Sequence, residues 1–365
     1  MACYLKNHSS RYLIGNFRLL SNAIEGSARL KAQELRTGLK QRQRASLAQA
    51  ITLIETTHPC KKKVAVQLMD LLLKDAAENL TCLGPDSLSM RIGLSGPPGA
   101  GKSTFIEKFG KHLTGCGHRV AVLAVDPSSA TTGGSILGDK TRMPELTVDP
   151  SAYIRPSPAR GHLGGVTRST NEAIVLCEAA GYDVVIVETV GVGQSEISVA
   201  DMVDLFGLII APAGGDELQG LKKGIVEMCD MVIVNKSDGD LLPAAMRTQA
   251  DYLSSLKYAR PRWRDWRVPV LRVSSVTCEG LEKLWATMTS YRKLMLTSGQ
   301  LLQRRREQQR TWLHSHLQEA VMTEFMNTGG MAAVLADMEK KVSAGIVTPG
   351  NACDELVLKY KQLLK

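Results

Sequence analysis

Gly96-Pro97-Pro98-Gly99-Ala100-Gly101-Lys102-Ser103-Thr104 satisfies the spacing G-x-x-x-x-G-K-S/T. The apolar run Arg91–Ser95 precedes it and the amphipathic stretch Ser103–Leu113 follows it, so the loop is predicted to join a strand to a helix. The chemistry of phosphate requires these residue types. Small residues let successive backbone N–H groups close around phosphate oxygens, and the helix adds its positive end. Lys102 brings a point charge to the β and γ phosphates, and Ser103 brings a hydroxyl ligand for Mg²⁺.

Beyond this loop, short apolar runs alternate with amphipathic stretches as far as Tyr291. Strands are predicted at Arg91–Ser95, Val120–Val125, Val184–Val187, Leu208–Ala211, Met231–Val234 and Val270–Val273. Helices are predicted at Ser103–Leu113, Asn171–Ala180, Leu218–Cys229 and Ala244–Leu256. This alternation gives an α/β fold, a P-loop NTPase domain whose mostly parallel sheet is covered by helices on both faces. Ligands of such sheets sit at the carboxyl ends of the strands. Residues 29–83 read as helical, with Leu47, Ile51 and Ile54, then Val64, Leu68, Leu71 and Leu72, at helical spacing around a break at His58-Pro59. From Gly299 onward only helices are predicted, at Leu301–Phe325, 331–344 and 352–364.

Other strand ends carry residues that suit a nucleotide. Asp126, in Val125-Asp126-Pro127-Ser128-Ser129, can orient Mg²⁺ or its water; it equally suits an Asx turn before Pro127. Glu188, in Glu188-Thr189-Val190-Gly191, suits a water ligand of Mg²⁺, so Ser103, Asp126 and Glu188 are the candidate metal residues. Gly191 can offer its backbone N–H to a γ-phosphate, a contact that hydrolysis removes. Asn235-Lys236-Ser237-Asp238 then follows Met231–Val234 as N-K-x-D. Asp238 can accept from guanine N1–H and the 2-amino group together, and adenine has neither donor there. A site built on such a bond discriminates by about 10⁴-fold. Lys236 can pack its stem on the base, and Asn235 can tie this loop to the phosphate loop. Ser274-Ser275-Val276 can supply a backbone N–H to guanine O6. GTP, rather than ATP, is the expected ligand.

Composition sets the outer bounds. A chain of 365 residues, 44% hydrophobic and 22% charged, can bury a sizeable core. Crossing a membrane takes about 18 consecutive apolar residues, and the longest run, Leu205–Gly215, is broken by Gly207 and Pro212. The net charge of +9 is uneven: the first 44 residues hold nine basic and two acidic side chains, so +7 lies there and +2 in the rest. A nearly neutral body opposes nucleic-acid binding. The first 24 residues lack Asp and Glu and include Lys6, Arg11 and Arg18, as a mitochondrial presequence does; a basic tail is the alternative. The eight cysteines are scattered without CxxC spacing, which opposes a disulfide scaffold or a zinc ribbon.

The motif set resembles the MeaB-type GTPases of the metallochaperone group. The resemblance is carried by Gly93–Thr104, Val125–Ser129, Gly138-Asp139-Lys140-Thr141-Arg142-Met143, Arg155-Pro156-Ser157-Pro158, Glu188–Glu196 and Gly214–Gly220. It runs from about residue 38 to the end of the chain. It implies a GTPase chaperone of methylmalonyl-CoA mutase, in which GTP binding and hydrolysis gate adenosylcobalamin loading and removal of inactivated cofactor. The adenosylcobalamin would belong to the partner enzyme. The resemblance also implies a homodimer built by helical extensions, and with the presequence a place in the mitochondrial matrix. The corresponding division is a presequence at 1–28, a helical extension at 29–88, the GTPase domain at 89–291 and a C-terminal helical dimerisation extension at 292–365.

In Ras-type GTPases a glutamine after the glycine of the third motif orients the attacking water. Val192 stands there in this chain, and Gln194 lies two residues further on. Slow hydrolysis that rises when a partner completes the site is the expectation. The candidate catalytic residues are Lys102, Asp139 in the first switch segment Pro127–Met143, and Lys222, beside Lys223 just after Gly214–Gly220. For the two later lysines a solvated helix face is the alternative. Arg304-Arg305-Arg306 fits a solvated face, or contact with an acidic surface or a nucleotide-like ligand. Other functions compete. A P-loop kinase or ATPase is opposed by N-K-x-D. A nickel-type metal-insertion GTPase is opposed by the lack of a Cys- or His-based metal motif.

Overall fold

The structure is a computed structural model that describes residues 26–56, 58–125, 143–157, 163–189, 195–212, 227–258 and 262–364. Strands buried on both faces must be apolar almost throughout. Met90–Ser95 (β1), Val184–Thr189 (β4) and Leu205–Ile210 (β5) meet that demand, and each is buried along its whole length. With Val120–Val125 (β2), Ala152–Ser157 (β3), Met231–Val234 (β6) and Val270–Arg272 (β7) they form one sheet of seven strands in the order β3-β2-β4-β1-β5-β6-β7. Every pairing is parallel, as the alternating pattern predicts.

The sheet is covered on both faces. Residues 26–40 form α1, followed by Arg44–Ile54 (α2), Pro59–Leu83 (α3), Lys102–Gly115 (α4), Pro144–Thr147 (α5), Leu163–Ala179 (α6), Ser195–Ala200 (α7), Leu242–Leu256 (α8) and Leu281–Thr297 (α9). Met90, Ile92 and Leu94 of β1 enter one core with Phe105 and Phe109 of α4 and Leu284 and Met288 of α9. On the other face α6 packs against β2 and β4 and carries α2 and α3 outside it. The break at His58-Pro59 falls where Pro59 begins α3.

Several elements differ from the sequence reading, among them the helix α9, which was not predicted, and the predicted helix Leu218–Cys229 lies almost wholly outside the described residues. Three of the differences have a plain local reason. The strand β3 was not predicted, because Pro156 and Arg155 interrupt its apolar run. It pairs only with β2, at the sheet edge, where a residue without an N–H is tolerated. The strand β5 starts at Leu205 rather than Leu208; Gly207 reads as a breaker, yet its bare Cα gives room to Leu94, 3.2 Å from the place a Cβ would take. The helix α6 starts at Leu163, through Gly164-Gly165, a pair that propensity opposes.

Arg304 and Arg305 are not solvated, which corrects the reading of that tract. Arg304 is 3% exposed. Its Nη1 donates to Asp204 O (2.6 Å), Asp230 Oδ2 (3.0 Å) and Tyr291 Oη (3.0 Å). Arg305 donates through Nε and Nη2 to the two carboxylate oxygens of Asp204, at 2.8 and 2.6 Å. Burial pushes the Asp204 carboxyl up, but Arg305 and Arg91 outweigh it and hold the group below the usual carboxylate range. Asp204 and Asp230 immediately precede β5 and β6, so this network lies at the amino ends of the strands. Removing one partner of a buried pair costs about 3–5 kcal/mol, because the other charge is stranded.

The chain divides into two compact units, Met1–Arg305 and Arg306–Lys365. The second holds most of Gln300–Asn327 (α10), then Met331–Ser343 (α11) and Pro349–Leu363 (α12). Within it, the rings of Phe325 and Tyr360 lie 5.3 Å apart, and Thr348 caps α12 by accepting from the Asn351 N–H. No helix among the described residues is long and apolar enough to cross a membrane.

Candidate functional site

The site lies at the carboxyl ends of the strands. After Ser95 the chain turns through Gly96, which lies so close to the backbone of β5 that a Cβ on it would stand 2.0 Å from Ile209 O. Gly101 caps α4 in the left-handed region at φ +81°. A Cβ on it would stand 2.8 Å from Asn235 Nδ2. The loop between these glycines leads straight into α4, so the positive end of that helix lies at the loop. Lys102 lies back across the loop, and its Nζ donates to Gly96 O (2.7 Å) and Pro97 O (3.1 Å).

Ser103 Oγ, in the first turn of α4, donates to Glu188 Oε1 at 3.2 Å. The two residues are 85 positions apart in sequence, and β1 pairing with β4 sets Leu94 beside Glu188. With its proton on the carboxylate, the hydroxyl keeps its lone pairs for a cation. Both donors are hard oxygens, the type Mg²⁺ takes, and Mg²⁺ fills its other positions with water and phosphate. These residues therefore fit the ion. One residue further along both strands, Thr189 Oγ1 donates to Ser95 Oγ at 2.9 Å, with both side chains fully buried. That hydroxyl pair ties the end of β4 to the root of the phosphate loop, and sequence reading missed it.

On the other side of β1, the end of β6 delivers Asn235, which is 1% exposed. Its Nδ2 donates to Ala100 O (3.0 Å) and Gly101 O (3.4 Å). Ser275 Oγ donates to Asn235 Oδ1 at 2.7 Å, and Ser274 Oγ donates to Asp238 Oδ1 at 2.7 Å. Lys236 holds a positive φ of +54° and is exposed beside Gly101. The Val276 and Thr277 N–H groups donate to Ser274 Oγ, at 3.2 and 3.0 Å. The Val276 N–H is thereby engaged, whereas the Ser275 N–H makes no hydrogen bond among the described residues.

The structure thus brings together Gly96 to Thr104, Glu188, Asn235, Lys236, Asp238 and Ser274 to Val276 along one edge of the sheet. Asp126, Asp139, Gly191 and Lys222 lie outside the described residues. The arrangement presents a glycine-rich loop at the positive end of a helix, a hydroxyl–carboxylate pair suited to a cation and a carboxylate suited to accept from a base.

Residues 47–329 match the family model described as methylmalonyl-CoA mutase-associated GTPase MeaB. The chain is 54% identical to the mouse protein named methylmalonic aciduria type A homolog, mitochondrial, over 90% of this chain and 79% of that one. A protein of the same name from Caenorhabditis elegans is 46% identical, over 90% of this chain and 82% of its own length. A crystal structure described as LAO/AO transport system kinase superposes with a TM-score of 0.70 at 33% identity, covering 91% of this chain and 98% of that one. With a phosphate loop after β1, N-K-x-D after β6 and a family match across most of its length, the chain belongs to the MeaB family of GTPases.

Proposed function

We propose that this GTPase chaperones methylmalonyl-CoA mutase, gating adenosylcobalamin loading and the removal of inactivated cofactor, with the cobalamin held by the mutase. The names of its family and relatives support this client, and the presequence-like amino terminus supports work in the mitochondrial matrix. The observation that carries the guanine-nucleotide reading is the Asn235 amide, which fastens the base-reading loop to the phosphate loop across 135 residues.

In this reading Gly96 to Thr104 enclose the phosphates. Lys102 leaves the Gly96 and Pro97 carbonyls for the β and γ oxygens, exchanging two neutral acceptors for charged ones. Ser103, Glu188 and Asp126 hold Mg²⁺ directly or through water. The ion supplies positive charge to the phosphate oxygens as they gain charge in the transition state. Asp238 accepts from guanine, Lys236 lies along the base, and the Ser275 N–H, rather than that of Val276, reaches O6. Gly191 senses the γ-phosphate, and Asp139 or Lys222 completes catalysis when the partner docks. The helical extensions 29–88 and 292–365 flank the GTPase domain 89–291. A second copy of the chain covers the C-terminal one.

The test is GTP turnover by the purified protein, alone and with methylmalonyl-CoA mutase. Slow turnover that rises at least about tenfold with the mutase is expected; supplied transition-state groups are worth about 10³ to 10⁵ in the best cases. Unchanged turnover, with no complex in any nucleotide state, would rule out this client.

A further inference from the structure

We infer that Ser95 and Thr189 are positioning residues for the cation site, whose buried hydroxyl pair sets the Glu188 carboxylate at its working distance from the phosphate loop. The inference rests on the guanine-nucleotide and Mg²⁺ reading above, and it concerns two side chains that stand outside the predicted ligand set.

The two hydroxyls take over where the backbone ladder stops. The parallel pairing of β1 with β4 ends at Leu94 beside Glu188. The next residues, Ser95 and Thr189, are joined by their side chains instead, at 2.9 Å. Each still pairs on its other side, Ser95 with Leu208 of β5 and Thr189 with Val125 of β2. The hydroxyl bond therefore fixes the one freedom left, the spacing of β1 and β4 where β1 gives way to the loop. Both residues are 0% exposed, so bulk water does not compete for the bond. A hydrogen bond in such a dry setting is electrostatically stronger than one in water.

Successive side chains of a strand point to opposite faces of the sheet. Val184 and Ile186 of β4 enter the core that holds Phe105 and Phe109 of α4, and Glu188 continues that row to accept from Ser103 at 3.2 Å. Thr189 points to the opposite face. Gly93 of β1 also faces that way, since a Cβ on it would stand 3.0 Å from Val199 of α7, and Ser95 follows it by two residues. The phosphate loop is thus held at both ends by consecutive residues of β4, one from each face. The Ser103–Glu188 bond is the one a cation would enter, so it cannot also fix the spacing of its own two oxygens. The Ser95–Thr189 bond lies on the far face and remains available to do so. Mg²⁺ demands near-ideal octahedral geometry at about 2.0–2.1 Å, so a small displacement of Glu188 weakens it.

Dissociation constants for a non-hydrolysable GTP analogue are measured by titration calorimetry on the full chain, with MgCl₂ and with EDTA, and melting temperatures are recorded. The quantity read is the factor by which Mg²⁺ tightens binding. In Thr189→Val and in Ser95→Ala that factor is expected to fall at least about fivefold, the size of one lost hydrogen bond, while affinity in EDTA moves by less than about twofold. Thr189→Ser keeps the hydroxyl and is expected to keep the wild-type factor. The double change Ser95→Ala with Thr189→Val strands neither hydroxyl and should lose no more than either single change. Where Thr189→Val alone lowers the melting temperature, the double change carries the comparison. A merely structural role would lower both affinities alike. An unchanged Mg²⁺ factor at the wild-type melting temperature overturns the inference, as does an equal loss with and without the ion. A wild-type chain that binds the analogue equally well in EDTA defeats the cation reading and the inference with it. A wild-type preference for the adenine analogue defeats the guanine reading alone, and the Mg²⁺ factor is then read with that analogue.

Discussion

Gly101 shows how closely single atoms are set in this site. Its backbone lies at φ +81°, and a methyl group there would sit 2.8 Å from the Asn235 amide nitrogen. Holding a residue with a Cβ in that region costs about 1–3 kcal/mol, before any displacement of Asn235. Gly101→Ala is therefore expected to weaken GDP binding by at least about tenfold, read by equilibrium titration. Affinity equal to wild type would mean that the Asn235 tie does not matter to the bound state. Ser103 and Lys102 were legible as phosphate and cation residues from spacing alone. The hydroxyl pair Ser95–Thr189 was not, because neither residue belongs to a recognisable local pattern and their meeting depends on β1 lying beside β4.

Among the elements, the amino-terminal helices are held by a polar clasp as well as by packing. Asp75, buried on α3, accepts from Arg36 Nε and Nη2 (2.7 and 2.5 Å) and from Lys40 Nζ (2.9 Å), both residues of α1. The Arg36 hydrogen bonds are the main reason the carboxyl is held down at about 2, against an ordinary value near 3.8. Because the folded value is the lower one, the clasp contributes fully above about pH 5 and is lost as pH falls through about 2. Asp75→Asn is expected to lower stability at pH 7 by about 1–2 kcal/mol, and the difference from wild type to shrink by roughly half by pH 3. Urea midpoints of both proteins at pH 7, 5 and 3 check this, and a difference independent of pH would remove Asp75 ionisation from the account. Helical spacing identified α2 and α3 beforehand. It carried no sign that Arg36, Lys40 and Asp75 meet, since they are 35 and 39 residues apart.

For the molecule as a whole, the unit Arg306–Lys365 leaves apolar surface uncovered. A groove of about 950 Å³ runs between α10, α11 and α12, lined by Leu317, Val321, Phe325, Leu335 and Val357 among others. Leu317 and Val321 are 57% and 56% exposed. An exposed apolar patch of this kind marks an interaction surface. A second copy of the chain is its proposed occupant. Replacing Leu317 and Val321 together by Glu is then expected to turn a dimer into a monomer in sedimentation velocity at micromolar concentration, while GDP binding by the other unit persists. A variant that still sediments as a dimer would place the interface elsewhere.

What the sequence determined by itself is what local pattern can encode. Continuous apolar runs and helical spacings announced the alternation of strands and helices, and G-x-x-x-x-G-K-S and N-K-x-D announced phosphate and guanine, because each of these signals lies within a few consecutive residues. Only the tertiary structure decided where side chains from distant positions meet. It carried Arg304 and Arg305 under the sheet to Asp230 and Asp204, made Ala152–Ser157 an edge strand, and directed the Ser274 and Ser275 protons to Asp238 and Asn235. The physical reason is common to all three. Strand order and register choose the partner of a buried polar group, and in this sheet neighbouring strands are often far apart in the chain.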